Sequence, residues 1–491
     1  MNLYNNLFQT GRRLVMSAVI LASLIVSSCG PGRVSDFTPT DTAAEIYPDY
    51  AGVTLPVNIS PLNFYIVLPD NAVDSQAWIG IEGEEPDMVI SGPSIEMDVD
   101  KWHELLSKAA GRNIYFRIFT LSDGLWLCHP DIINSVSTDA IDPYMAYRLI
   151  YPGYELWNRV GIYQRNLTNF DQTPIMENKN FDKNCTNCHS FAANSPDTMM
   201  LHVRGSHGGT LVSKGGVVKK HKPKHPDLPN NATYPTWHPD GRFIIFSTNN
   251  VGQAFHTSGY KPIEVFDMSA DLMVFDTETG ETYTHPSVAT DSLCETFPVW
   301  CPGTDEIYFC RAKNFNGVNE LKQMRYDLWA TTFNRDSKTW GEPRPVYEAS
   351  ADSMSVSFPR FSPDGRYLLF TRSGYGNFSI WHPESQLVII DTATGQMREL
   401  DEINSDDVDS YHSWSSNGRW VAFSSKRLDG TTARPFIAAF DPSTGRFGKP
   451  FVLPQQDPLF YDDFSLTFNI PELIKGPVTN APALLDATLN Q

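Results

Sequence analysis

The fold of this 491-residue chain is indicated by one stretch, Phe358-Pro-Arg-Phe-Ser-Pro-Asp-Gly-Arg-Tyr-Leu-Leu-Phe370. An aromatic residue, a Pro-Asp-Gly turn and a β-rich run that ends in phenylalanine follow one another in it. Glycine supplies the positive φ that the turn needs, while proline and aspartate favour its first positions. The stretch therefore predicts two β-strands joined by a tight turn.

The same pattern occurs three more times in the second half of the chain, at residues 234–246, 297–309 and 411–423. The copies lie roughly 50 to 60 residues apart, which suits one four-stranded propeller blade for each copy. They resemble the repeats of TolB-like β-propellers, which are related to WD-type repeats. The resemblance covers about residues 185–474 and implies an all-β propeller of about six blades.

The chain before the repeats predicts a separate, small, mainly β domain that is sandwich-like. Residues 64–68, 77–81 and 114–119 are rich in β-branched and aromatic side chains, as strands are. One helix is expected between Asp98 and Gly111, because aspartate favours the start of a helix and glycine its end.

A second motif, Cys185-Thr186-Asn187-Cys188-His189, indicates a cofactor. Cys-x-x-Cys-His is the attachment signature of c-type haem, in which two thiols bond to the porphyrin and the histidine binds the iron. The motif predicts one covalent haem c, with His189 as an axial ligand. A redox disulfide of the thioredoxin type is the alternative for Cys185 and Cys188.

The second axial ligand is expected on the segment that follows. When this segment is aligned with the later repeats as a degenerate blade, His202 takes the place of phenylalanines such as Phe246. A buried histidine needs partners for its ring nitrogens, and iron would be one. Met200 and Met199 are the thioether alternatives.

The first 28 residues read as a lipoprotein signal peptide. Arg12 and Arg13 precede an apolar run over residues 14–26, and Val26-Ser27-Ser28-Cys29 resembles a bacterial lipobox. The resemblance implies lipidation of Cys29 and an acyl anchor in the cell envelope. The site would be the periplasmic side of the inner or outer membrane, or the cell surface. An ordinary signal peptide or a transmembrane anchor is the alternative.

Charge and cysteine content set further limits. The 38 basic and 57 acidic residues give a net charge of −19, which argues against nucleic acid as a partner. Disulfides are permitted in the envelope, but the sequence does not choose a pairing among the remaining cysteines. These are Cys128, Cys294, Cys301 and Cys310.

Six segments summarise the predicted organisation. They are a signal peptide (1–28), a tether (29–45), a mainly β N-terminal domain (46–165), the haem-attachment segment with a first degenerate blade (166–232), the propeller blades (233–475) and a C-terminal tail (476–491).

Two classes of function fit these features. The first is electron transfer by a lipid-anchored cytochrome with a protein redox partner. The alternative is a propeller that binds or assembles proteins, with a structural, sensory or absent haem. No catalytic constellation surrounds the motif, and the Gly-x-Ser-x-Gly elbow of propeller-associated hydrolases is missing from the sequence. Catalysis is therefore not expected.

Overall fold

The computed structural model describes residues 32–153, 158–257, 261–315 and 318–490. The predicted signal peptide and Cys29 lie outside these residues. Nearly all regular structure in the described chain is β, and within the described ranges no helix is long and apolar enough to cross a membrane.

Two sheets and one helix form the N-terminal domain. The larger sheet consists of Thr38–Pro39, Thr54–Leu55, Ala72–Ile81, Met88–Ser91, Asn113–Ser122, Leu125–Cys128 and Ile132–Val136. The smaller sheet consists of Glu45–Tyr47, Phe64–Val67 and Ser94–Ile95. The sheets face each other, because Phe64 of one stacks on Phe116 of the other with ring centroids 5.2 Å apart. This confirms the sandwich-like, mainly β domain.

Helix α1 (Val99–Lys108) lies where the sequence predicts it. The Asp98 carboxylate accepts a hydrogen bond from the backbone N–H of Lys101 at 3.0 Å, which satisfies one of the free donors at the helix start. Gly111 follows the helix with φ +76°. The face with Trp102 packs into the domain core.

Six further sheets form the blades of a propeller, and the strands of each blade are ordered from the innermost to the outermost. Blade 1 is Thr186–Phe191, Thr198–Val203, Gly209–Lys214 and Val217–His221. Blade 2 is Thr233–Trp237, Phe243–Ser247, Leu272–Asp276 and Thr282–Tyr283. Blade 3 is Leu293–Trp300, Glu306–Lys313 and Asp327–Asn334, followed by Thr339–Trp340 and Arg344–Tyr347.

Blade 4 is Ser355–Phe361, Tyr367–Ser373, Gln386–Asp391 and Gln396–Glu399. Blade 5 is Asp409–Trp414, Trp420–Ser425 and Arg434–Asp441, followed by Arg446–Phe447 and Phe451–Val452. Blade 6 is Thr467–Ile474, Tyr144–Ile150, Val160–Asn166 and Gln172–Glu177. Neighbouring inner strands contact each other around the whole ring. The predicted all-β propeller is therefore confirmed, with six blades.

Blade 6 combines the two ends of the propeller sequence. Its inner strand comes from the C-terminal part of the chain and pairs antiparallel with Tyr144–Ile150. The expected boundary between residues 165 and 166 falls at the end of the third strand of this blade, Val160–Asn166. The strands before blade 1 therefore belong to the propeller, since their inner partner lies about 300 residues later in the chain.

Helices and turns complete the described chain. Helix α2 is Phe460–Asp463, and helix α3 (Ala481–Asn490) covers the predicted tail. Leu484 and Ala487 of α3 pack in the same cluster as Leu201 of blade 1. The 3-10 turns are Asn178–Asn180, Ala192–Asn194, Val318–Gln323, Ala349–Asp352 and Ser379–Trp381.

A separate hairpin, Asn250–Phe255 with Ile263–Ser269, leaves blade 2 between its second and third strands. We call it the crossing hairpin, because it reaches the connection between the second and third strands of blade 4. Tyr375 donates to Glu264 at 2.6 Å, and Asn377 donates to Asp267 at 2.5 Å. Ile263 also packs against Ile150 of blade 6. The hairpin therefore spans one end of the propeller.

The remaining cysteines form no disulfide among the residues that the structure describes. Cys294, Cys301 and Cys310 are buried in one cluster between blades 3 and 4. Cys128 is half-buried at the edge of the N-terminal sheet. All four act as small packing residues in this arrangement.

Candidate functional site

The inner strands of all six blades share one irregularity, which places one residue of each blade in the left-handed backbone region. These positions are Cys188 (φ +52°), Tyr234 (+43°), Phe297 (+48°), Phe358 (+54°), Tyr411 (+25°) and Ile470 (+52°). At each of them the register of the strand pair shifts, as at a β-bulge. We call these six residues the axial ring.

Aromatic side chains fill most of the axial ring. The ring centroids are 4.5 Å apart for Tyr234 and Phe297, 4.3 Å for Phe297 and Phe358, and 4.4 Å for Phe358 and Tyr411. Such distances are typical of favourable aromatic packing. Two positions are not aromatic, Ile470 and Cys188, and Cys188 is the smallest side chain of the six.

A cavity of about 280 Å³ lies near this part of the ring; Asn187 of the motif lines it, whereas Cys185, Cys188 and His189 are not among its lining residues. Tyr234, Phe358, Tyr411 and Ile470 of the axial ring form part of its wall, and the crossing hairpin contributes Val265. Cavities that bind organic ligands start at roughly this size. The haem-attachment motif therefore lies on the inner strand next to a cavity with aromatic walls.

Cys185 and Cys188 belong to the start of this inner strand. Cys188 is buried and Cys185 is half-buried, with its carbonyl oxygen accepting a hydrogen bond from the Arg204 N–H at 2.9 Å. Burial raises the pKa of the Cys185 thiol, although Arg148 and Arg204 oppose the shift. A reactive dithiol needs a lowered pKa, so this environment does not favour thioredoxin-type chemistry.

His189 is 3% exposed and held by the closing blade. Its Nε2 donates to the carbonyl oxygen of Ile470 at 2.9 Å, and its Nδ1 has no hydrogen-bond partner in the described chain. Burial, together with a smaller effect of nearby Arg148, lowers the pKa of His189 to about 3. The imidazole is therefore neutral at physiological pH, which is the form that binds iron.

The candidate second ligands lie on the neighbouring strand of blade 1, on opposite faces. Met199 packs toward blade 6 with Ile162, whereas Met200 packs toward blade 2 with Trp237. His202 is buried beside a second, more polar cavity between blades 1 and 2, and its Nδ1 lies 3.0 Å from the hydroxyl of Thr210. No described contact joins these three residues to His189.

The expected position of His202 in the repeat is wrong by one residue. Asn187, which precedes the axial ring, pairs with His202. The equivalent partners in blades 2 to 5 are Ser247, Cys310, Thr371 and Ser424. Leu201 therefore takes the place of the phenylalanines. The connection between the first and second strands of blade 1 differs from that in the other blades. It contains the 3-10 turn Ala192–Asn194 and a shortened Ser-Pro-Asp turn, and the alignment of the repeats is therefore displaced by one residue.

Three cations at the cavity were not recognised from the sequence: Arg148, Arg204 and Lys426. Arg148 lies on a strand that the sequence does not assign to a blade. Arg204 and Lys426 each come shortly after the second strand of a blade, where the recurring pattern ends. Among the described residues, no group of three or more His, Cys, Asp or Glu side chains could hold a bare metal ion.

Comparisons with known proteins do not assign this chain to a family. No protein-family model matches the chain, and no curated protein matches it. Solved structures with a similar fold include TolB from Acinetobacter baumannii, at 12% identity and a TM-score of 0.42, covering 77% of this chain and 85% of that one. An oligogalacturonate lyase in complex with manganese matches at 13% identity and a TM-score of 0.37, over 85% and 86% of the chains.

The β-propeller domain of the trilobed protease from Pyrococcus furiosus matches at 13% identity and a TM-score of 0.35, over 69% and 80% of the chains. Similarity at this level describes the fold alone. The chain is a six-bladed β-propeller with an N-terminal β domain, and this assignment rests on its own strand pairing.

Proposed function

We propose that this protein is an envelope cytochrome in which Cys185 and Cys188 carry one covalent haem and His189 is an axial iron ligand. Electron transfer to or from a protein partner is the function that this arrangement supports best. The haem would supply a one-electron redox centre. The residues of the chain would hold it, keep the imidazole neutral and limit access of water.

One observation carries the proposal: the attachment motif coincides with the break in the axial ring. In the other blades this position holds a large apolar or aromatic side chain, and blade 1 has a thiol there. The adjacent cavity has aromatic walls, and its volume of about 280 Å³ admits one edge of a flat macrocycle. The two thiols and the neutral imidazole are the donor set that covalent haem needs.

His202, Met200 and Met199 are the proposed alternatives for the second axial position. A filled position favours electron transfer, whereas an open one allows ligand binding. His202→Phe, Met200→Leu and Met199→Leu separate them, because only loss of the true ligand changes the visible spectrum and midpoint potential of the haem. If none of the three variants alters the spectrum, all three candidates are excluded.

The proposal includes a lipid anchor at Cys29, which would keep the redox centre at a membrane of the cell envelope. The acidic surface excess, expressed in the net charge of −19, is compatible with a protein rather than a nucleic-acid partner. Mass spectrometry of the N-terminal peptide tests the anchor, since lipidation leaves an acylated Cys29 as the first residue. An unmodified N-terminus beyond Cys29 would contradict it.

The decisive experiment uses the full chain produced in a host that matures c-type cytochromes. A denaturing gel stained for haem and an intact mass should show one haem per chain. Cys185→Ala with Cys188→Ala should abolish the stain and leave the propeller folded. Cys301→Ala is the matched control, because it removes a buried thiol from blade 3 and should leave the haem in place. A colourless wild-type band would overturn the proposal and favour a protein-binding scaffold.

A further inference from the structure

The cavity beside the axial ring has an unusual charge. Arg148, Arg204 and Lys426 are among its lining residues, and no aspartate or glutamate of the described residues is among them. The whole chain carries a net charge of −19, so three cations on one cavity wall differ from the balance of charge in the rest of the molecule. A concave site with one sign of charge attracts ligands of the opposite sign.

None of these three cations forms an ion pair with a described carboxylate, in contrast to some other cations of the propeller. Arg311 pairs with Glu295 at 3.2 Å, and Lys261 pairs with Glu264 at 2.8 Å. In contrast, Lys426 is only 7% exposed and forms no ion pair in the part of the chain that the structure describes. Burial lowers the pKa of Lys426 to about 8, although the nearby carboxylates of Asp407 and Asp429 oppose the shift. The Lys426 ammonium lies 4.7 Å from the centre of the Trp381 ring. Burial of an unpaired charge is unfavourable, so an anionic ligand would stabilise it.

Arg148 is also incompletely satisfied. Its guanidinium donates to the side-chain oxygen of Asn187, while its Nε is buried and has no partner within the described ranges. The other terminal nitrogen donates to the Asn469 amide oxygen at 3.2 Å when that amide is oriented to satisfy both of its atoms. A carboxylate, which arginine recognises through two parallel N–H donors, would replace these two neutral acceptors with a charged one. No carboxylate of the described chain pairs with this arginine.

The walls of the cavity set the shape of the ligand. Tyr234, Phe358, Phe378, Tyr411 and Trp381 surround the cations. Aromatic walls with a few charged groups suit a flat, apolar body that ends in an anion. The volume of about 280 Å³ admits a single-ring carboxylate, or the carboxylate edge of a larger ring system.

We propose that this cavity binds the carboxylate of a flat organic anion, with Arg148, Arg204 and Lys426 as the binding cations. The carboxylate has two possible sources: the propionates of a haem attached at Cys185 and Cys188, or a free aromatic carboxylate. The site itself does not require that haem is attached. The carboxylate-binding proposal can therefore fail while the cytochrome proposal holds, and the reverse is also possible.

The test uses the full chain from a host without c-type maturation, titrated calorimetrically with sodium benzoate. Benzamide, which has the same shape without the charge, should bind at least tenfold more weakly. Lys426→Met and Arg148→Met should each reduce benzoate affinity at least tenfold, and added salt should weaken binding. Arg344→Met is the control, because it removes an exposed cation far from the cavity and should leave the affinity unchanged.

A second titration on haem-loaded protein distinguishes the sources. Benzoate binding that disappears on haem attachment assigns the cations to the propionates, and binding that persists assigns them to a free ligand. Equal binding of benzoate and benzamide by the haem-free protein, or affinities that do not change in either cavity variant, would overturn the proposal. Near-ultraviolet circular dichroism establishes that both variants are folded.

Discussion

Blades 1 and 5 present nearly the same residues at the propeller axis, but only blade 1 has thiols. Cys188-His-Ser-Phe191 and Tyr411-His-Ser-Trp414 occupy equivalent positions on the two inner strands. His189 and His412 are both buried, and each Nε2 bonds to a carbonyl oxygen at 2.9 Å. Each Nδ1 is without a partner among the described residues. Burial lowers the pKa of both imidazoles to about 3.

The comparison shows which features are specific to the candidate site. A neutral, buried histidine with one free nitrogen is not specific to the candidate site, because blade 5 has it without any cysteine, whereas the other four blades have proline at this position. The two thiols and the small side chain in the axial ring distinguish blade 1. The cavity does not, because Asn187 and Arg204 line it from blade 1 and Tyr411 and Lys426 line it from blade 5. Interpretation of His189 as an iron ligand therefore depends on the cysteines and not on its own environment.

The largest expected effect is the difference in haem content between two single variants, His189→Ala and His412→Ala. His189→Ala should reduce haem content at least tenfold or alter the spectrum, because the axial ligand is lost. His412→Ala should leave both unchanged, although it removes an equally buried ring. Haem staining and visible spectra of the two variants measure this difference. If the two variants changed haem content and the visible spectrum equally, the proposal that only the histidine of blade 1 binds the iron would be wrong.

The second prediction concerns the axial ring in haem-free protein. Tyr411→Ala removes a ring that packs against Phe358 and should cost about 3 kcal/mol of unfolding free energy. Cys188→Ala removes one sulfur beside a cavity and should cost less than about 1 kcal/mol. Denaturant unfolding checks both values. A cost for Cys188→Ala as large as that for Tyr411→Ala would mean that the thiol is a packing residue.

The third prediction is a dependence on pH that the two blades share. The folded pKa of each histidine, about 3, lies below the ordinary value of 6.5, so the unfolded chain binds the proton first as pH falls. Stability contributed by each neutral ring is complete above about pH 6.5 and decreases toward pH 3. His412→Gln should reduce the slope of unfolding free energy by roughly 1.4 kcal/mol per pH unit between about pH 6 and 4.

In haem-free protein His189→Gln should reduce that slope by the same amount as His412→Gln. Unfolding titrations at several pH values measure the two slopes. A variant with the wild-type slope would show that its histidine takes up the proton in the folded state as well.

The smallest expected effect is on the stability of haem-free protein, when a residue on the second strand of blade 1 is replaced by its equivalent in blade 5. His202→Ser copies Ser424 and should change the stability of haem-free protein by no more than about 1 kcal/mol, since His202 borders a polar cavity. Thermal unfolding without haem gives this value. A loss of several kcal/mol would identify His202 as a structural residue, whatever the haem spectrum shows.

Much of the propeller is predictable from local sequence, and blade 6 is not. The Pro-Asp-Gly turns and their flanking strands lie within short segments, so the repeats are visible around Phe246 and Phe370. Blade 6 unites Tyr144–Ile150 with Thr467–Ile474, and no local pattern indicates a partner so distant. Arg148 was missed for this reason, and with it the charge of the cavity.

The strand register of blade 1 could not be predicted from the sequence either. A bulge at Cys188 and the altered turn after Phe191 shift the pairing, and such insertions are decided by the strand partner rather than by local preference. The attachment motif could be recognised from the sequence alone, because its chemistry depends on the spacing of residues within five consecutive positions. The sequence therefore predicted the attachment residues but misplaced His202.

The hydrogen bond from His189 to Ile470 links the attachment motif to the last strand of the chain. In the exported cytochrome that we propose, the segment with the cysteines would leave the membrane before the strand that covers it. Until that strand arrives, blade 6 lacks its inner strand, and His189 would be accessible to the enzyme that attaches the haem. In our proposal, haem must therefore be attached before the last strand pairs with blade 6. A chain that completes blade 6 first would remain without haem.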